Sequence, residues 1–325
     1  MTMSRRAALS TFAISAICSP LLAFAQDWPH KGVNLIVPYL AGGGVDPVAR
    51  MIGQKLTEKW KQPVIVENRA GASGTIGAAA VARAAPDGNT ILMSATAEVV
   101  INQHFMSKML YQPERDLKPV TLTVKLPFVL VAEPSKPFSD MTSLIAYARK
   151  NPGKVSYASS GAGTPQHLAG VLLEELAGVQ LLHVPFKGVA QAMTDIMSGQ
   201  LDIGFVGLPT GLQQIQAGKL RAIGVSSLTS SPAAPQIPAI AKTPGLEKFE
   251  LIQWFGVFVP AKTPDATIAK IQHDIVEVLA MPDIRNNLLK QGAEPSGMSV
   301  AEFTAFTKSE SEKFARIVKS ANIVQ

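Results

Sequence analysis

Short apolar runs alternate along this chain with longer stretches in which apolar residues recur every three or four positions. Val33 to Pro38 reads as a buried strand, then a glycine-rich loop, then a helix from about Asp46 to Trp60. The unit is repeated at once. Val64 to Glu67 predicts a strand, a second glycine-rich loop follows, a helix runs to about Arg83, and Thr90 to Ser94 predicts a third strand. Such alternation points to a mostly parallel sheet covered on both faces by helices.

A similar unit starts again further on. Phe128 to Ala132 and Val155 to Ala158 predict strands, Ser159 to Thr164 a Ser/Gly loop, and Pro165 to Ala177 a helix. Strands follow at Leu181 to Pro185, Ile203 to Val206 and Leu220 to Ser226, with a helix at Val189 to Ser198. The Pro-, Ala- and Ser-rich stretch Ser230 to Pro244 reads as loop. The last part is helical. Ile268, Ile271, Ile275, Val278 and Leu279 share one face of a helix over Pro264 to Ala280, and Phe303, Phe306, Phe314 and Ile317 mark a last one from about Val300 to Ser320. At helical spacing these stripes are packing surfaces.

The first residues change the picture of where the chain works. Arg5 and Arg6 precede an apolar run from Ala7 to Phe24, which ends in the small-x-small pattern Ala23-Phe24-Ala25. This is the layout of a secretory signal peptide cut after Ala25, and it predicts a periplasmic protein. Pro20 and the cleavage pattern argue against a membrane anchor, and Ser4-Arg5-Arg6 is only a faint echo of a twin-arginine signal. Cys18, the sole cysteine, lies inside this leader, and Ile17 before it is too large for a lipid-attachment site. The remaining chain has no thiol for a disulfide, a nucleophile or a metal.

Without the two leader arginines the net charge falls from +6 to +4. The chain is mildly basic, with no dense Lys/Arg run and no basic–aromatic interleaving, so nucleic acid is not its partner class and a general attraction for anions is the more modest reading. The 6% aromatic content suits a core of Val, Ile, Leu and Ala in an α/β fold. After the leader no apolar run approaches the ~20 residues of a spanning helix.

Three loops carry the candidate chemistry. In Pro38-Tyr39-Leu40-Ala41-Gly42-Gly43-Gly44-Val45-Asp46, the glycines let the backbone turn sharply at the start of a helix. Backbone N–H groups and the helix dipole then favour a carboxylate or phosphate. Asp46 reads as the N-cap, and a fixed carboxylate there is expected to repel a second charge on a ligand. Asn68-Arg69-Ala70-Gly71-Ala72-Ser73-Gly74-Thr75-Ile76-Gly77 has the same construction and adds hydroxyls, with Arg69 bracing it. The third loop, Ser159-Ser160-Gly161-Ala162-Gly163-Thr164-Pro165, belongs to the second unit, with Thr164 as N-cap and His167 on the first helical turn. In open α/β sheets ligands gather at the carboxyl ends of strands, where these loops lie.

No complete nucleotide-phosphate motif and no Gly-x-Ser-x-Gly elbow is present. The histidines, His30, His104, His167, His183 and His273, match no metal spacing. Ser159 or Ser160 with His167 is the one pair that imitates a nucleophile and base. An exported hydrolase built on Ser160 and His167 is therefore the rival class, with no catalytic residue, metal or cofactor expected in the favoured one.

Several short segments, taken in order, resemble the substrate-binding receptors of tripartite tricarboxylate transporters, the Bug-type proteins. They are Leu35-Ile36-Val37-Pro38-Tyr39 with Gly42-Gly43-Gly44-Val45-Asp46; Val66-Glu67-Asn68-Arg69 with Gly71-Ala72-Ser73-Gly74; Pro86-Asp87-Gly88; Ser160-Gly161-Ala162-Gly163-Thr164 with His167-Leu168; Val184-Pro185-Phe186-Lys187-Gly188; and Gly256 to Pro260 with Thr263-Pro264. The likeness runs from Trp28 to the last helix. It implies a two-lobed periplasmic binding protein of type II, a Venus flytrap, that closes on a small organic anion and passes it to a membrane permease.

The lobes implied are 26–126 with 253–325, and 127–252. Carried over residue by residue, the ligand-binding candidates are Gly43, Gly44, Asp46, Ser73, Gly74, Ser160, Gly161, Gly163, Thr164 and His167. Tyr39 at the start of the first loop and Ser94 at the end of the third strand complete the set. A di- or tricarboxylate, an aromatic acid and an amino acid all remain open as ligands, a sensor role beside transport stays open too, and a monomer is expected. Leu40-Ala41 stands where the family usually has prolines. Val45 stands where it usually has Thr or Ser, which removes a hydroxyl from the rim.

Overall fold

The computed structural model describes residues 28–186 and 189–321; the predicted leader, Lys187 and Gly188 lie outside the described residues. The first unit forms as its pattern predicts. It runs β1 (Val33–Val37), α1 (Val45–Trp60), β2 (Val64–Asn68), α2 (Thr75–Ala82) and β3 (Thr90–Ala95). A π-helical turn, Ala97–Ile101, and a short α3 (Pro113–Asp116) lead to β4 (Leu117–Ala132). The second unit comprises α4 (Met141–Lys150), β5 (Val155–Ser159), α5 (Pro165–Ala177), β6 (Leu181–Pro185), α6 (Val189–Met197), β7 (Ile203–Gly207), α7 (Leu208–Gln216) and β8 (Arg221–Val225). The chain then returns through β9 (Ile252–Pro260), α8 (Asp265–Ala280), α9 (Pro282–Lys290), β10 (Glu294–Pro295) and α10 (Val300–Ser320).

The strands follow the path β2-β1-β3-β9-β4-β7-β5-β6, with β8 and β10 also paired to β4. β1 is parallel to β2 and β3, and β5 is parallel to β6 and β7, as βαβ crossovers require. The antiparallel pairs all involve β4 or β9. The sheet is therefore mixed, its two parallel halves joined through β4.

The sequence predicts a strand only at Phe128 to Ala132. β4 instead runs unbroken from Leu117. Pro119 falls at one of two irregularities in its ladder with β9, and Pro127, opposite Ile252, is the last residue of that ladder. From Phe128 onward β4 pairs with β7 on one side and β8 on the other.

Helices α3, α4, α7 and α9, the central strand β9 and the two-residue β10 have no counterpart in the expectation above. Met141, Leu144, Ile145 and Ala148 carry the spacing that buries α4, and Asp140 with Ser143 forms its capping box. Helices α3, α7 and α9 and β10 are too short to show a period, and β9 is a nearly continuous apolar run with no alternation to mark it.

Aromatic residues of the returning segment fill the core between the first half of the sheet and α10. Trp254, Phe303 and Phe314 are all fully buried, and Trp254 meets Phe303 edge to face at 5.7 Å. The indole N–H of Trp254 donates to Glu310 at 3.0 Å, and Lys313 pairs with the same carboxylate, so this buried acid is satisfied. On the opposite face, Trp60 of α1 donates to Asp274 of α8 at 2.6 Å. Lys270 pairs with that aspartate at 3.0 Å.

Gly256 sits opposite Ser94 on one side and Leu122 on the other, in the middle of β9. A Cβ there would lie 2.3 Å from Cζ of Phe303. Gly256→Ala should therefore cost about 1–3 kcal/mol through overpacking. Denaturant unfolding of the variant checks this, and an unchanged midpoint would mean that α10 is not seated on this strand.

Candidate functional site

The first two loops leave the carboxyl ends of β1 and β2, and the third leaves β5. In the first, Gly42 takes a left-handed φ of 79°, a conformation open to a residue without Cβ. Gly44, not Asp46, is the N-cap of α1. Asp46 lies one residue inside the helix and is 4% exposed. Its carboxylate accepts from the Gly42 backbone N–H at 2.9 Å, from Arg50 Nε at 3.0 Å and from Asn68 Nδ2 at 2.9 Å. Asn68 also donates to the Tyr39 carbonyl at 3.0 Å. Burial opposes its ionisation, but the donors from Arg50, Gly42 and Asn68 prevail and hold the carboxyl below its usual range. The expected repulsion of a ligand charge is thus answered inside the loop, and Asp46 ties the first loop to β2.

The second loop is strained. Gly71, Ala72, Ser73 and Gly74 have φ of 135°, 46°, 51° and 88°, four consecutive residues on the left-handed side. For Ala72 and Ser73 this costs on the order of 1–3 kcal/mol each, and such strain persists where surrounding structure enforces it, commonly at binding sites. Here the enforcement is visible. Asn102 donates to the Ser73 carbonyl at 2.9 Å, and the Thr75 hydroxyl donates to the Ala72 carbonyl at 2.8 Å. Arg69 pairs with Glu67 at 2.7 Å and stays outside the turn.

The third loop is held from behind by a pair of histidine rings. His167 and His183 stack at 3.9 Å between centroids. The Gly163 N–H donates to His167 Nδ1 at 3.1 Å, so that nitrogen carries no proton. Burial first, then the neighbouring His183, pushes His167 down to about 4, which leaves it neutral near pH 7. The Thr164 hydroxyl donates back to the Gly161 carbonyl at 2.7 Å rather than capping α5. Ser160 donates to Gln166 at 3.2 Å. Ser160 and His167 therefore have separate partners and do not form the pair that a hydrolase would need. Ser159 does meet His183 Nε2 at 2.6 Å, but it is buried and also bonded to Gly161.

These loops enclose a cleft of about 280 Å³. Its wall consists of Tyr39 and Ser73 from the first two loops, Ala95, Thr96 and Ala97 from the end of β3 and the start of the π turn, Asn102 and Phe105 from the segment just after that turn, Ser160, Ala162, Gly163, Thr164, Pro165 and Gln166 from the third loop and α5, and Gln253 from β9. No charged side chain is among them. Of the predicted residues, Tyr39, Ser73, Ser160, Gly163 and Thr164 line it. Gly43, Gly44, Asp46, Gly74, Gly161 and His167 stand behind it in the loops that form it. Ser94 is fully buried and donates to the Gly256 carbonyl at 3.2 Å, so it belongs to the sheet.

Sequence reasoning missed the π turn, Gln166 and Gln253. A π turn has no period to reveal it, and such turns often sit at functional sites. It also carries Glu98, which is 0% exposed. Oε2 of Glu98 accepts from the Tyr39 hydroxyl at 2.6 Å, and Oε1 from the Ala95 N–H at 2.7 Å. Burial pushes this carboxyl up to about 7, against the pull of the Tyr39 bond.

Two other features lie apart from the cleft. A cavity of about 210 Å³ behind the π turn is lined by Val99, Val100, Leu117 and Phe258, with Lys308 at its rim. Among the described residues His273, Asp274 and Glu277 are grouped closely enough to suggest a metal. Lys59 and Lys270 already neutralise that group.

Removing the Asp46 carboxylate orphans three donors. Asp46→Ala should destabilise the protein by about 2–3 kcal/mol, the range for lost hydrogen bonds to a charged group. Equilibrium unfolding measures it, and a loss confined to ligand affinity would restore the residue to the ligand's contacts.

Residues 48–323 match the model of the tripartite tricarboxylate transporter family receptor. A protein from Pseudomonas sp. strain P51, described from the tcbD-tcbE intergenic region, is 38% identical over 97% of this chain and 94% of its own length. The structure of R. palustris Rpa4515 with adipate is 30% identical, with a TM-score of 0.77, over 92% of this chain and 99% of that one. MatC from Rhodopseudomonas palustris with bound malate is 28% identical, with a TM-score of 0.72, over 90% of this chain and 100% of that one. By family model, sequence and two-lobed fold alike, the chain belongs to the tripartite tricarboxylate transporter receptor family.

Proposed function

We infer that this chain is an extracytoplasmic receptor that holds a small carboxylate, foremost an aliphatic dicarboxylate, in the cleft between its lobes. On this reading it delivers the ligand to the membrane component of a tripartite transporter. The observation that carries the reading is the uncharged cleft where the first, second and third loops meet at helix starts. Helix starts present unpaired N–H groups and a positive dipole end, which suit an anion without a fixed countercharge. The relatives that hold adipate and malate support the ligand class.

The strand pairing supports a hinge at the crossings between the lobes. β4 changes partners between Pro127 and Phe128, and the chain returns at Ile252. We take lobe one as residues 26–126 and 253–325 and lobe two as 127–252, with closure around the cleft as the working motion. The leader at 1–25 would place the receptor in the periplasm. No described helix is long and apolar enough to cross a membrane.

Charge-assisted hydrogen bonds of about 1.5–3 kcal/mol each need only a few members to reach the roughly −8 kcal/mol of micromolar binding. Isothermal titration with malate, adipate, citrate, benzoate and aspartate, against glucose and spermidine as controls, tests the reading. At least one acid should bind in the micromolar range and neither control should. Binding of a control with no heat from any acid would overturn it.

Gln253 lies in the wall at the hinge, and its amide has no hydrogen-bond partner among the described residues. Gln253→Ala is expected to weaken the best-bound acid by about tenfold, one hydrogen bond's worth. Melting should stay near the wild type; a drop in melting without a change in affinity would assign this amide to the fold.

A further inference from the structure

One carboxyl at the cleft is not explained by holding an anion. Glu98 is sealed from solvent where three segments converge. Tyr39 of the first loop donates to it, the Ala95 N–H at the end of β3 donates to it, and Gly74 of the second loop approaches so closely that a Cβ there would lie 3.0 Å from Oε2. The titratable groups facing it are Tyr39 and Tyr111, whose hydroxyl donates to the Glu98 backbone carbonyl. Burial and the neighbouring Glu98 hold both tyrosines above their ordinary value, so both are neutral. Among the described residues no lysine, arginine or histidine pairs with this acid. An ionised carboxylate in such a place lacks the partner that burial normally demands. A ligand anion in the adjoining cleft adds a second negative charge.

We propose that Glu98 is a positioning residue that takes up one proton from solvent when an anion binds and so frees the Tyr39 hydroxyl for the ligand. While Glu98 is ionised, the Tyr39 O–H is committed to Oε2. Once Oε2 carries a proton, it donates to the Tyr39 oxygen, and the Tyr39 O–H turns into the cleft that this residue lines. One O–H bond forms on Glu98 and no other covalent bond changes. The carboxyl's value of about 7 places both forms within reach at neutral pH.

The sign follows directly. A bound anion favours the protonated form, so affinity is highest below the neutral range and falls as pH rises through it, with at most one proton linked per ligand. Burial, then the neighbouring His183, pushes His167 down to about 4, below this window, and burial also lowers His183 from its usual value. The inference rests on the carboxylate-receptor reading above.

The test uses the tightest-binding acid of the panel, titrated at pH 6, 7 and 8 and, at pH 7, in phosphate and in Tris, which differ in ionisation heat. Wild-type affinity should fall by about threefold or more from pH 6 to pH 8, and the buffer difference should report proton uptake of up to about one per ligand. Glu98→Gln should flatten the profile and abolish the buffer difference. Tyr39→Phe should reduce pH 6 affinity to the wild type's pH 8 level. Should the glutamine variant fail to fold, infrared difference spectra of the wild type serve instead. A protonated-carboxyl band should grow when the acid is added at pH 7.

Binding without proton uptake, identical profiles for wild type and Glu98→Gln, or no such band would overturn this inference alone. A panel with no bound acid at any of the three pH values would overturn the receptor reading and this inference with it.

Discussion

Every buried backbone N–H and C=O must find a partner, and β4 meets that demand by changing partners midway. Its first part is hydrogen-bonded to β9, and from Phe128 it lies between β7 and β8. That single exchange joins two parallel βαβ units into one continuous path of strands. It also brings the loops after β1, β2 and β5 to the same cleft. The prolines at 119 and 127 fall where the ladder is irregular or ends, so the strand tolerates them without orphaned donors.

Given that frame, the described residues place no cation in the cleft wall. Three loops set helix starts and polar, uncharged side chains around the cleft, and the acids nearby are handled individually. Asp46 is satisfied by Gly42, Arg50 and Asn68, and Glu98 by Tyr39 and Ala95. The left-handed run from Gly71 to Gly74 is the energetic cost of the shape, and Asn102, the residue that follows the π turn, helps to hold it. Ser73 reaches the wall because of that run. The π turn and the residue after it thus serve both loops: Asn102 supports the strained turn, and Glu98 anchors Tyr39.

Much of the frame was legible because it is periodic. The strands and helices of the first unit and the stripe Ile268, Ile271, Ile275, Val278 are patterns of two or of three-to-four residues, and glycine-rich loops announce where they turn. What the pattern hid has physical causes. The first half of β4 carries Lys118, Pro119, Thr121, Thr123 and Lys125 instead of a continuous apolar run, and its pairing with β9 depends on ladder register that no local signal reveals. Asp46 looked like a cap because its spacing suited one, whereas its donors come from Gly42, from Asn68 on another strand and from Arg50 a turn away. Glu98 and Gln253 were invisible for the same reason. Their roles arise from tertiary neighbours, and neither belongs to a motif. Ser94 directly precedes the wall residue Ala95, but its side chain is turned into the sheet because successive strand residues face opposite ways.

The central claim is that a carboxylate is held between the lobes by neutral groups. A crystal structure with malate or adipate bound tests it most directly. The account predicts the ligand between Ser73 and Thr164, its oxygens on backbone N–H groups and hydroxyls, with no lysine or arginine in contact. A ligand seated in the cavity behind the π turn against Lys308, or one paired with any cationic side chain, would contradict it.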